Sequence, residues 1–217
     1  MRVKACGIKT ERDLETAVKA GVDAVGFLVG QVHTSHDFIL ASTAARLVKF
    51  LPPYVVPVIV THLTAPDAIL DIVEQTSILT IQLHGGSTAE EVAALRDNLG
   101  PAGKLIYAAH VLGMQVTPAL EPYYDLVDAV LLDSMDRETG KVGGTGMTHN
   151  WDVSAGAAAA SPVPLTLAGG LTPDNVAGAI RHVRPFAVDA NSALKGFDGS
   201  LDLNLCTAFV RNAKNAN

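Results

Sequence analysis

The stretch RVKACGIKTERDLETAVKAGVDAVGFLV, Arg2 to Val29, is the one on which the fold turns. RVKAC and AVGFLV are short and nearly continuous in apolar character, as strands buried on both faces are. Between them TERDLETAVKAG opens on Thr10 and closes on Gly21, which are helix start and stop signals.

The same alternation runs through the rest of the chain. Further strands are predicted at VVPVIVTH (55–62), TIQLH (80–84), KLIYAAH (104–110), AVLLDS (129–134), LTLAGG (165–170) and FAVDAN (186–191). Helical segments lie between them at ASTAARLVKFLP (41–52), APDAILDIVEQT (65–76), TAEEVAALRDNLG (88–100) and TPDNVAGAIRHV (172–183). Pro173 sits at a first helical position behind Thr172 as cap. The Ala-rich SAGAAAASPVP (154–164) reads as a weak helix or a loop, since Ala favours helix but the run is short. Eight strands alternating with helices predict an α/β fold, a (β/α)8 or TIM barrel, as one domain over residues 1–217. A doubly wound open sheet usually has fewer strands and often a Gly-rich first turn, whereas CGIKT holds no G-x-G-x-x-G.

Composition narrows the function classes. Of 217 residues 48% are apolar, enough for a substantial core. No apolar run approaches the roughly 20 residues of a membrane helix, and the first residues lack the build of a secretory signal, so a cytoplasmic location is expected. A net charge of −6, scattered Lys and Arg and few aromatic residues argue against a nucleic-acid surface or base-stacking platform. Cys6 and Cys206, the two cysteines, make neither a disulfide framework nor a zinc cluster.

In a barrel of this kind chemistry sits at the C-terminal strand ends. That rule nominates Cys6, His62, Gln82, His84, His110, Asp133, Gly169, Gly170, Asp189 and Asn191. Free cysteine usually plugs a core, but Cys6 stands where a strand opens towards a helix. A thiol and a carboxylate at one mouth, Cys6 and Asp133, can share acid and base work. AGGLTPDN offers the backbone N–H groups of Gly169 and Gly170 at the opening of a helix, a place suited to an anion. DANSAL adds Asn191, Ser192 and Ala193, and the loops after strands seven and eight form the common phosphate site of such barrels. The Gly-rich DRETGKVGGTGMTH (136–149) reads as an active-site lid.

These motifs, taken in order, resemble one family. VKACGIKTERDLETAVKAGVDAVGF, IQLHG, LLDS…GGTG…W and LAGGLTPDNVAGAI…VRPFAVDANS are similar to phosphoribosylanthranilate isomerase across essentially the whole chain. The resemblance implies an Amadori rearrangement of a phosphoribosyl aromatic amine in tryptophan biosynthesis, with neither metal nor organic cofactor. It implies that Cys6 is the general base on the sugar C2′ proton and Asp133 the general acid on the furanose ring oxygen. A base must be a thiolate, favoured by positive potential. The acid must be protonated when substrate arrives, which desolvation under a lid would favour.

Three departures from the family stand out. Where the family carries an arginine after strand two, in a stretch like P-x-S-x-R that holds the substrate's ring carboxylate, this chain has GQVHTSHDF without Arg or Lys. Met147 replaces the lysine of G-G-x-G-K, and Ala193 the glycine of S-S-G. His33 and His36 are then the expected contacts to the carboxylate, with Asp37 as an opposing charge. This predicts poor or pH-sensitive turnover that improves below about pH 6.5. If neither histidine reaches the ring, the expected substrate is an altered one without that carboxylate. Gln82, His84 and Asp189 are expected to line the substrate. The histidines could converge on a metal, but no H-x-x-H helix pair or H-E-x-x-H is present and no metal is expected. The rival functions are a metal-assisted lyase or aldolase on a sugar phosphate, and a catalytically silent binder of a phosphorylated ligand. The expected partner is a phosphorylated small molecule, with no nucleic acid and no membrane. The sequence leaves the oligomeric state open.

Overall fold

The computed structural model describes residues 1–32, 36–134 and 150–216. Eight strands run parallel: β1 (Arg2–Cys6), β2 (Ala24–Leu28), β3 (Val56–Thr61), β4 (Thr80–Leu83), β5 (Lys104–Leu112), β7 (Ala129–Ser134), β8 (Leu165–Leu167) and β9 (Ala187–Ala190). Each pairs with its neighbours in chain order, and β9 pairs with β1, so the sheet closes on itself. The expected barrel is what forms. One short antiparallel strand, β6 (Gln115–Thr117), hangs on the end of β5.

The helices on the outside are α1 (Glu11–Ala20), α2 (Ala41–Leu47), α3 (Pro66–Thr76), α4 (Ala89–Leu99), α5 (Trp151–Ala160), α6 (Val176–Val183) and α7 (Leu203–Lys214). Local chemistry sets their ends. Thr10 and Asp13 form a reciprocal capping box at the start of α1, as Thr88 and Glu91 do for α4. The Ala-rich run is α5, opened by the Asn150 side chain accepting from the Asp152 N–H. Regular α6 begins at Val176, later than Pro173, although Thr172 and Asn175 exchange backbone-to-side-chain bonds across the preceding turn.

At one crossover the helix is missing. Between β5 and β7 the chain makes the β6 hairpin around Gly113 (φ 64°) and a 3-10 turn at Glu121–Tyr123. Pro118 and Pro122 each remove a backbone N–H there, which a helix could not sustain.

Strand alternation divides the side chains. Outward residues such as Val3, Ala5, Val25 and Phe27 pack against the helices. Inward residues form an apolar floor: Cys6 with Val58 and Val60, and Ala108 with Leu131 and Ala168. Two residues further along β5 and β7 the inward positions become His110 and Asp133, so the apolar floor gives way to a polar mouth. No described helix is long and apolar enough to cross a membrane.

Candidate active site

The site begins with β1. Lys4 and Cys6, two residues apart, share the inward face, and Lys4 lies in register with Asp189 on β9. The Lys4 ammonium meets the Asp189 carboxylate at 2.6 Å, with both side chains 7% exposed, and it lies with the Cys6 sulfur against Gly26 of β2. The sequence reading missed Lys4. Its signal was a charged residue in the middle of an apolar strand, where an unpaired charge is not tolerated.

Across the mouth, Asp133 stands at the end of β7 and faces His84, its Oδ2 3.5 Å from Nε2. His84 Nδ1 lies 3.2 Å from the Gln82 amide nitrogen, which fixes the ring. His110 packs edge-on to His84 at 5.4 Å between centroids, and His62 lies on the other side at 5.7 Å. Gln82, His84, Asp133 and Asp189 thus all stand at the mouth with Cys6. Among the described residues no three metal-ligating side chains converge. The backbone N–H of Ser134 donates to Asp133 Oδ1 at 2.7 Å. Gly169 makes this arrangement possible. Its φ of +81° suits glycine, and a Cβ there would lie 2.4 Å from the Ser134 nitrogen and 2.8 Å from Asp133 Oδ1.

The resting charges differ from the sequence expectation. Burial pushes the Cys6 thiol up to about 11, Asp189 adds to the rise, and Lys4 opposes it. The positive potential expected beside Cys6 is present, but desolvation outweighs it. Asp133 is shifted the other way. Burial alone would raise it, but the hydrogen bond and charge of His84, then His110, hold its carboxyl below the usual range. The surroundings thus favour the thiol at Cys6 and the carboxylate at Asp133, the reverse of the base and acid forms that the reaction uses. Burial lowers His110 to about 4. It raises Asp189, against the pull of Lys4.

The loop after β2 carries the two histidines expected at the carboxylate. His33 lies outside the described residues, and His36 is exposed. Asp37 turns inward to Lys195 and Lys9, the latter at 3.4 Å, and accepts from the Asn191 amide at 3.0 Å. Burial would raise its carboxyl, yet Lys195, Asn191 and Lys9 together hold it low. The segment without a cation of its own is thus met by two lysines from elsewhere. Lys9 precedes α1 and Lys195 follows β9, so only the closed barrel brings them to Asp37. No sequence spacing reveals that pairing.

The phosphate candidates fall on adjacent loops, because β8 and β9 are paired neighbours. Gly169 and Gly170 both take positive φ in the turn after β8. Ser192 and Ala193 open the 3-10 helix Ser192–Leu194, and the N–H groups of a first turn have no acceptor within their own helix. Asn191 Oδ1 is buried without a hydrogen-bond partner among the described residues. The expected lid, with Met147, lies outside them.

The sequence model of the N-(5'phosphoribosyl)anthranilate (PRA) isomerase family matches residues 3–212. An N-(5'-phosphoribosyl)anthranilate isomerase 2 of Methanosarcina mazei is 42% identical over 215 residues, covering 99% of this chain and 95% of that protein. An N-(5'-phosphoribosyl)anthranilate isomerase of Natronomonas pharaonis is 41% identical over 211 residues, 96% of each. Among solved structures, phosphoribosyl anthranilate isomerase from Thermotoga maritima superposes with a TM-score of 0.85 at 33% identity, covering 99% of this chain and 98% of that one. A second such isomerase, in complex with reduced 1-(o-carboxyphenylamino)-1-deoxyribulose 5-phosphate, gives 0.82 at 31% identity, with 99% and 98% covered.

Proposed function

The chain belongs to the phosphoribosylanthranilate isomerase family, and on that premise we propose that it catalyses the Amadori rearrangement of N-(5'-phosphoribosyl)anthranilate, a step of tryptophan biosynthesis that we place in the cytoplasm. The observation that supports the reading is that Cys6, Asp133, His84 and Asp189 lie at the C-terminal strand ends of one parallel barrel, with His84 against Asp133 and Lys4 against Asp189. A metal-assisted lyase and a silent binder have no comparable support.

Asp133 is the acid. Its proton goes to the furanose ring oxygen as the C1′–O bond breaks, and the amine lone pair forms the C1′ iminium. Cys6 is the base. Its thiolate takes the C2′ proton, and the C–H electron pair moves into the C1′–C2′ bond to neutralise the iminium. The Cys6 thiol returns that proton to C1′, the C2′ hydroxyl proton passes to the Asp133 carboxylate, and a ketone is left at C2′, so the reaction neither gains nor loses atoms. Substrate must reverse the resting charges, the thiol proton of Cys6 passing to the Asp133 carboxylate. By displacing water from Asp133 it strengthens the desolvation that favours the acid form.

The two anionic ends of the substrate are held apart. The backbone N–H groups of Gly170, Ser192 and Ala193, with Gly169 and Asn191 shaping the turns, receive the phosphate. Lys195 and Lys9 receive the ring carboxylate in place of the absent arginine. Among the described residues, two ammonium groups meet the single carboxylate of Asp37. Gln82 and His84 line the sugar.

The test is an isomerase assay of the purified chain with phosphoribosylanthranilate, beside metal analysis of the same preparation. Turnover without stoichiometric metal supports the reading, and no turnover of this substrate overturns it.

A further inference from the structure

Lys4 is, among the described residues, the only lysine or arginine that is buried. Placing a charge inside a barrel costs free energy even when it is paired. Apolar side chains of similar volume would fill the same space at least as well, so Lys4 and Asp189 need a reason to be there. Their surroundings supply one. The Lys4 ammonium touches Asp189 at 2.6 Å and shares with the sulfur of Cys6 the space beside Gly26. Gly26, on the neighbouring strand, keeps that meeting point clear. A Cβ at residue 26 would lie 2.7 Å from Cys6 Sγ and 3.1 Å from Lys4 Nζ. The absent side chain leaves room for sulfur and ammonium side by side. Asp189 Oδ1 is buried with no partner among the described residues, so this carboxylate's contact is spent on Lys4.

We infer that Lys4 is a positioning residue for Cys6: anchored by Asp189, its ammonium holds the buried sulfur in place and stabilises its thiolate form for removal of the C2′ proton. The inference rests on the isomerase reading for the identity of that proton, and on geometry alone for the thiolate. In the step, the C2′–H bond breaks and an S–H bond forms. Lys4 stays an ammonium and Asp189 a carboxylate throughout. Asp189 plays two opposed parts, since it fixes the ammonium and also repels the thiolate.

That opposition gives a test by sign. Alkylation of Cys6 by iodoacetamide at pH 8.5, followed by mass spectrometry of its peptide, reads the thiolate fraction without any substrate. Lys4→Met should slow it roughly tenfold or more, as loss of an adjacent positive charge implies. Asp189→Asn should speed it severalfold, because the repelling charge is gone while an amide still fills the site. Lys4→Gln, which keeps a donor but not the charge, should behave as Lys4→Met and serves if the methionine variant does not fold. In the isomerase assay both Lys4 variants should lose kcat on the order of tenfold to a hundredfold with little change in KM. Alkylation rates within twofold of wild type in a folded Lys4 variant overturn the inference, as do shifts of the same sign in the Lys4 and Asp189 variants. Failure of the wild-type protein to isomerise phosphoribosylanthranilate overturns the functional reading instead, and the alkylation series still decides the role of Lys4.

Discussion

Lys195, from the loop after β9, forms an ion pair with Asp37, from the loop after β2, with only 12% and 15% of the two side chains exposed. Lys9 joins it, so that two cations face one carboxylate. Lys195→Ala should therefore raise KM for phosphoribosylanthranilate roughly tenfold to a hundredfold, the scale of a charge-assisted hydrogen bond, and leave kcat nearly unchanged. The same variant should handle a substrate analogue built on aniline, without the ring carboxylate, as the wild type does. Equal losses on both substrates would remove Lys195 from carboxylate recognition.

The identity of those cations also sets the pH response. A carboxylate held by His33 and His36 would bind more tightly as pH falls through about 6.5. One held by lysines would not. Affinity for reduced 1-(o-carboxyphenylamino)-1-deoxyribulose 5-phosphate, measured by calorimetry, should show no gain between pH 7.5 and 6 and no response to His36→Ala. A steep rise in affinity over that interval, lost in the histidine variant, would restore the histidine reading.

Gly169 supports the acid. Ala at this position would face strain at φ +81° on the order of 1–3 kcal/mol, and its Cβ would press on the Ser134 nitrogen and Asp133 Oδ1. Gly169→Ala should lower the melting temperature and cut kcat at least tenfold. A variant with wild-type kcat and an unchanged melting point would show that the loop yields freely.

The barrel was legible because its signals are local. RVKAC and AVLLDS became strands with the boundaries read from their apolar runs, and the strand-end rule then placed Cys6 and Asp133 at one mouth. What escaped the reading is what only closure creates. Asp37 meets Lys195 because the barrel brings the loops after β2 and β9 to one rim. The reversed resting charges arise from burial at Cys6 and from His84 and His110 beside Asp133, which no residue type announces. The missing fifth helix was locally marked by Gly113, Pro118 and Pro122, which break a helical period.

Cys6→Ala and Asp133→Asn should each lower kcat by about 10² or more, the usual scale of general acid–base help. KM should change far less, because neither side chain is the anchor of phosphate or carboxylate. Steady-state kinetics on both variants check this, and near-wild-type turnover in either one would remove that residue from the chemistry.

His110 links the site to stability. Burial lowers its pKa from 6.5 to about 4, and the neighbouring His84 charge pushes the same way while Asp133 opposes it. The folded protein therefore keeps this ring neutral in a range where the unfolded chain protonates it. Stability is fully present above pH 6.5 and falls as pH drops towards 4, by at most about 3 kcal/mol. Asp133, whose carboxyl is held low in the fold, acts at the other end, since its contribution is lost only below the ordinary carboxylate range. The two effects are thus separated in pH. Denaturant midpoints should decline between pH 6.5 and 4.5 in the wild type, and His110→Gln, which cannot titrate, should flatten that decline. An equally steep decline in the glutamine variant would assign the acid sensitivity to another group.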